Sequence, residues 1–212
     1  MKAPILDVSR LRINTDGKGI CTLVAFYGCP LNCQFCINMQ CHENPGNFMT
    51  ADELYERLSI DNIYFKASGG GVTFGGGEPL LYSDFISEFS GLNKYNWNIR
   101  IETSLNVATS ELIKLLQIVD CFYVDIKDLN PLIYKQYTLL DNQYVLDNLR
   151  YVSNHSLQGK FIIRLPLIQG FNSIKSVQDS KAYLTELGFN TFDIFEYIVS
   201  GTNNDAEWPF RI

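Results

Sequence analysis

The chain has 212 residues, 46% hydrophobic and 19% charged, which excludes a disordered polypeptide and is long enough to bury a core without disulfide staples. Seventeen Lys and Arg against 23 Asp and Glu leave a formal charge of −6, which argues against a nucleic-acid backbone binder. Asp7, Arg10 and Arg12 interrupt the first residues, so they do not read as a signal peptide, and no apolar run is long enough to cross a membrane. The expectation is a reducing, cytoplasmic setting with neither nucleic acid nor membrane as partner.

Strands and helices alternate along the sequence. Residues 21–28 read as a strand rich in β-branched and aromatic side chains. Thr50 and Glu53 form a capping box, and Leu54 and Leu58 follow one helical turn apart. A short strand at 71–74 runs into Gly75-Gly76-Gly77-Glu78-Pro79. A helix over about 82–92, a strand at 98–103 and a helix from about Ser110 come next. A strand at 121–127 precedes Asn130-Pro131, an N-cap with proline at the first helical position. The series ends with a strand at 161–168, a helix at 174–187 closed by Gly188, and a strand at 192–197.

About six βα units require parallel crossovers, hence an α/β fold. An open doubly wound sheet buries both faces and wants strands that are apolar throughout. Here Ile99 and Ile101 alternate with Arg100 and Glu102, and Phe122, Val124 and Ile126 with Tyr123, Asp125 and Lys127. Phe161, Ile163 and Leu165 likewise alternate with Ile162 and Arg164. One apolar face and one charged face fit a curled sheet with helices outside and a polar interior. The expected fold is therefore a partial (β/α)6 TIM-like barrel in a single domain. Residues 1–20 are read as an N-terminal segment, 21–200 as the barrel core and 201–212 as a C-terminal tail.

Six cysteines stand at 21, 29, 33, 36, 41 and 121. Cys29, Cys33 and Cys36 form C-x3-C-x2-C directly after the first predicted strand, in a loop marked by Pro30, Asn32 and Gln34. With Cys41 or His42 as a fourth ligand, this loop is open to a structural zinc site and a binding module. Three thiolates alone are also open to a [4Fe–4S] cluster with one iron left free. Cys21 and Cys121, at strand starts, read as buried structural thiols.

The cysteine loop resembles the signature of the radical S-adenosylmethionine (SAM) superfamily, including an aromatic residue, Phe35, before the third cysteine. Gly76-Gly77-Glu78 resembles its GGE motif. The resemblance narrows to the activating enzymes of glycyl radical enzymes, and runs over about residues 14–172. Residues 28–36 are similar to the family's GCPLRCKYC, and residues 69–81 to its GGGVTFSGGEPLL. Residues 16–21 resemble its DGPGIR with Lys18 for proline and Cys21 for arginine, and Asp125-Ile126-Lys127 its D-x-K. The histidines that the family carries after the third cysteine and after the sixth strand are absent.

The resemblance implies that Cys29, Cys33 and Cys36 ligate a [4Fe–4S] cluster and are catalytic together with Lys127. Phe35, Gly76, Gly77, Glu78, Glu102, Thr103, Asp125, Lys127 and Arg164 would bind SAM, with a monovalent cation near Glu102 and Thr103. It further implies a 5′-deoxyadenosyl radical that takes hydrogen from a glycine of a partner glycyl radical enzyme. A flavodoxin- or ferredoxin-type protein would donate the electron. A radical SAM enzyme acting on a small molecule or peptide, like 7-carboxy-7-deazaguanine synthase, is the alternative.

Overall fold

The computed structural model describes residues 1–197, and the expected tail at 201–212 lies outside them. Eight strands form one sheet in the order β3-β1-β2-β4-β5-β6-β7-β8. Six of them, β2 (Ile20–Phe26), β4 (Gly71–Gly76), β5 (Asn98–Thr103), β6 (Cys121–Asp125), β7 (Phe161–Ile168) and β8 (Phe192–Tyr197), run parallel. The sheet does not close, because β8 is one edge and β3 the other. The result is a partial barrel.

Residues 2–13 of the segment read above as N-terminal form a strand of the same sheet. β1 (Lys2–Ile13) pairs antiparallel with β2 and, on its other side, with β3 (Phe48–Thr50). Its inward residues Ala3, Ile5 and Val8 are buried, but a register shift between Ser9 and Arg12 breaks the alternation. That irregularity is why a period-two pattern is hard to see there.

The predicted caps form. Thr50 Oγ1 accepts from the Glu53 amide (3.1 Å) and Glu53 accepts from the Thr50 amide (2.7 Å), starting α1 (Ala51–Ser59). Asn130 caps α5 (Pro131–Thr138), accepting from the Leu132 amide at 2.9 Å. Gly188 takes the left-handed conformation after α7 (Ile174–Glu186), with φ +87°. The helices α2 (Asn62–Ser68), α3 (Ser83–Leu92), α4 (Thr109–Leu115) and α6 (Gln143–Asn154) complete the set among the described residues. α2 and α6 have no counterpart in the predicted elements.

The apolar faces predicted for three strands are the outer ones. Ile99, Ile101, Phe122, Val124, Ile126, Phe161, Ile163 and Leu165 are all buried beneath the helices. Phe122 and Phe161 stack on adjacent strands with centroids 4.7 Å apart, and each fully buried ring of this kind contributes about 1.5–3 kcal/mol. Helices α1, α3, α4 and α6 pack successively on that side. The other face of the strands lines the interior.

α6 also sets the loop after β5. Asn148, fully buried, donates from Nδ2 to the carbonyls of Leu105 and Val107, both at 2.9 Å. Leu105 sits at φ +58°, a conformation that a leucine adopts only when its surroundings hold it there. Asn148→Ala leaves two carbonyls buried without these donors. It should cost about 1–3 kcal/mol, read from the urea midpoint at unchanged m-value.

Candidate functional site

The site lies where β2 and β4 end. The loop leaving β2 carries Cys29, Cys33 and Cys36, and a tight turn is closed by the Cys36 amide on the Cys33 carbonyl (3.2 Å). Its backbone is pinned to the end of α5: the Asn32 and Gln34 amides donate to the carbonyls of Thr138 (3.0 Å) and Tyr137 (3.1 Å). The Phe35 ring packs edge-on against Phe171, at 5.7 Å between centroids, and tilted against Tyr137.

The glycine run after β4 lies directly beneath. The Gly77 amide donates to the Phe26 carbonyl (2.9 Å) and the Glu78 amide to the Gly28 carbonyl (2.8 Å). A Cβ on Gly77 would stand 2.1 Å from the Gly28 carbonyl oxygen, so no other residue fits. Asn38 Nδ2 donates to the Gly76 carbonyl at 3.0 Å and joins the cysteine loop to the same run.

Glu78 turns inward rather than into the interior. It is 1% exposed, and its carboxylate accepts from Thr103 Oγ1 (2.6 Å), the Leu80 amide (3.1 Å), and the Ser104 hydroxyl (2.7 Å) and amide (2.9 Å). Burial raises its pKa, and these hydrogen bonds oppose the rise. The side chain of Glu78 is thus bonded to Thr103 and Ser104, and the backbone of the glycine run lies beside the cysteine loop.

The remaining predicted residues meet in the interior. Arg164 on β7 donates from Nε and Nη2 to both Asp125 oxygens (2.7 and 3.1 Å) and from Nη1 to Glu102 (2.9 Å). Lys127 Nζ stands 3.7 Å from Asp125. Burial works against the Asp125 charge, but Lys127 and Arg164 outweigh it and hold the carboxyl below its usual range. Burial likewise opposes the Lys127 ammonium, and Asp125 and Cys33 carry its pKa above the ordinary value. The four residues form one network, the arrangement that an internal brace would also show.

Below this network the interior is closed. The Arg100 guanidinium, 5% exposed, donates to Cys21 Sγ (2.9 Å) and to the Lys18 carbonyl (3.0 Å). Cys21, standing where the related segment has arginine, is therefore met by an arginine from β5. Thr73 donates to the Asp16 carbonyl (2.7 Å), and Asp16 pairs with Arg12.

Burial raises the thiols of Cys29 and Cys33, and Lys127 draws Cys33 back. Cys41 is buried, and that burial with the adjacent Cys36 pushes its thiol up to about 11. Cys21 is buried as expected, whereas Cys121 is half-buried because it opens β6 near the barrel end. Among the described residues, no three Cys, His, Asp or Glu side chains converge tightly enough to hold a single metal ion. Tetrahedral zinc needs sulfurs about 3.8 Å apart, from Zn–S bonds of about 2.3 Å. The thiols of Cys29, Cys33 and Cys36 are near enough to influence one another electrostatically, and Cys41 lies within the same reach of all three.

The parts played by Ser104, Asn38 and Arg100 are not marked in the sequence motifs. Asn38 stands two residues past the third cysteine. The others depend on strand ends meeting across the barrel.

The superfamily profile for radical SAM proteins matches residues 23–175, and the chain belongs to the radical SAM superfamily. Membership implies a [4Fe–4S] cluster and SAM as cofactors. The chain is 30% identical over 154 residues to the indoleacetate decarboxylase activating enzyme of Tractidigestivibacter scatoligenes, covering 72% of this chain and 48% of that protein. It is 28% identical to the pyruvate formate-lyase 2-activating enzyme of Escherichia coli K12, covering 92% of this chain and 77% of that one. The chain thus spans about half the length of the first of these relatives. Streptococcus suis SuiB, solved bound to S-adenosylmethionine, superposes with a TM-score of 0.63 at 16% identity over 84% of this chain and 43% of SuiB, a likeness of fold.

Two stability measurements test this geometry. Glu78→Gln puts an amide where four donors converge, so the Ser104 or Leu80 amide loses its acceptor, and unfolding free energy should fall by about 1–3 kcal/mol. Arg164→Met leaves Glu102 without its ion-pair partner and Asp125 with Lys127 alone, and should cost about 3 kcal/mol at pH 7. In the unsubstituted protein the depressed Asp125 pKa stabilises above the unfolded value of about 3.9, and that stability is lost as pH falls through the folded value. The variant carries raised carboxyl pKa values instead, so its deficit should narrow toward pH 4 in urea titrations of the apoprotein.

Proposed function

We propose that this chain is an activating enzyme that installs a glycyl radical in a partner enzyme. The observation that carries the reading is the placement of a three-thiol loop and a glycine run, both similar to the activase motifs, over a charged interior at the C-terminal ends of parallel strands. That is where barrel chemistry is assembled. Cys29, Cys33 and Cys36 would hold the cluster, one ligand short of four, which leaves one iron for SAM. A reduced cluster held there would supply the single electron needed for reductive cleavage of SAM.

The protein's own residues supply placement. The Gly76–Gly77 backbone and Phe35 would flank bound SAM, Glu102 and Thr103 would lie near its carboxylate and a monovalent cation, and Asp125, Lys127 and Arg164 would contact SAM. Binding deprotonates the cysteines, so the raised thiols of Cys29 and Cys33 make cluster uptake release protons and favour higher pH. The open edge at β8 leaves room for a glycine-bearing loop, and a flavodoxin- or ferredoxin-type protein supplies the electron.

The test is electron paramagnetic resonance of a glycyl radical enzyme encoded nearby, incubated anaerobically with the reduced protein and SAM. A glycyl doublet is expected. SAM cleavage without a doublet in any such partner would move the activity to a small molecule or peptide, and one zinc without iron would support a binding module. Ala at Cys29, Cys33 or Cys36 should abolish SAM cleavage, while Cys41→Ala and Cys121→Ala retain it. Loss of the cluster in Cys41→Ala would add a fourth ligand and contradict the open iron.

A further inference from the structure

The six parallel strands begin at β2 and end at β8, and the barrel between these two does not close. The cysteine loop leaves β2 and crosses the mouth. Along its course it is held by the end of α5 at Asn32 and Gln34, by the glycine run at Asn38, and by Phe171 against the Phe35 ring. Those contacts come from α5, the end of β4 and the loop after β7. A further one reaches the far edge: the hydroxyl of Tyr197, last described residue of β8, donates to the carbonyl oxygen of Phe35 across 162 positions of sequence.

The Phe35 carbonyl belongs to the peptide that leads into Cys36. Fixing its direction fixes the plane of that peptide, and with it the start of the Cys36 side chain. Tyr197 is half-buried, and its hydroxyl also lies within electrostatic reach of Lys127, Asp125, Cys33 and Cys36. It therefore stands between the loop and the charged interior, on the side of the barrel that lacks a seventh parallel strand.

We propose that Tyr197 is a positioning residue for the cluster site, its hydroxyl holding the Phe35–Cys36 peptide over the barrel mouth and tying the cysteine loop to the far edge strand. The proposal rests on the reading that Cys29, Cys33 and Cys36 hold a cluster. It gives the last strand a part in the site that does not require a ligating or SAM-contacting side chain. The role belongs to the hydroxyl and not to the ring, because the ring survives in phenylalanine.

Tyr197→Phe, reconstituted anaerobically beside the unsubstituted protein, separates the possibilities. Iron per chain, the rate of iron loss to a ferrous chelator, the resonance spectrum of the reduced cluster and the melting of the apoprotein are compared. The variant should still take up about four iron per chain. It should lose that iron roughly 5-fold faster, the factor for one net hydrogen bond, and give a broadened reduced-cluster signal. Apoprotein melting should fall by no more than about 4 °C, the shift that one hydrogen bond gives a chain of this size. Equal iron retention and identical spectra in the two proteins would overturn the proposal while leaving the cluster reading intact. A drop in apoprotein melting that accounts for the faster loss would make Tyr197 a general structural residue and overturn it too. If the unsubstituted protein takes up no iron, the cluster reading fails and the proposal with it.

Discussion

The close approach of Gly77 to the Gly28 carbonyl, which leaves no room for a side chain, is the constraint on which the site depends. Two chain segments that are fifty residues apart must share one narrow space, and the Gly77 and Glu78 amides must both find acceptors in the chain leaving β2. Once that contact is made, Glu78 is carried into the core between β4 and β5, where Thr103 and Ser104 satisfy its carboxylate. The position of the cysteine loop and the position of the β5 terminus are then no longer independent. A side chain at Gly77 would displace both.

The ion-paired charges of the interior balance, Arg12, Lys127 and Arg164 against Asp16, Glu102 and Asp125, with the Arg100 guanidinium set apart on Cys21 and the Lys18 carbonyl. Buried ion pairs of this kind are weak sources of stability, since apolar residues of similar volume hold strands together as well or better. A network spread over the upper ends of β5, β6 and β7, on the face that points away from the helices, is explained more economically by what it can present to a ligand. SAM itself carries both signs of charge, and a lining already balanced can exchange partners with it without leaving a bare charge behind.

Much of this was legible in the sequence. Alternation of Ile99, Ile101, Phe122 and Val124 with Arg100, Glu102, Tyr123 and Asp125 gave the sidedness of the strands, because a period of two records which face is wet. The caps at Thr50 and Asn130 were readable for the same local reason. What was not legible depends on distance in sequence. β1 hides behind a register shift, and α6 behind polar residues whose purpose, as with Asn148, is to bond loop carbonyls from another part of the chain. The inward turn of Glu78 could not be read from its motif, since its partners are the residues that end the next strand. Tyr197 is the extreme case, with a partner 162 positions away.

Arg100 closes the lower end of the barrel, packed against Gly17 and bonded to Cys21 and Lys18. Among the described residues, Glu102, Asp125 and Arg164 lie toward the opposite end from this closure, so under the proposed function a partner docked over that end would bind after SAM and leave before the small-molecule products.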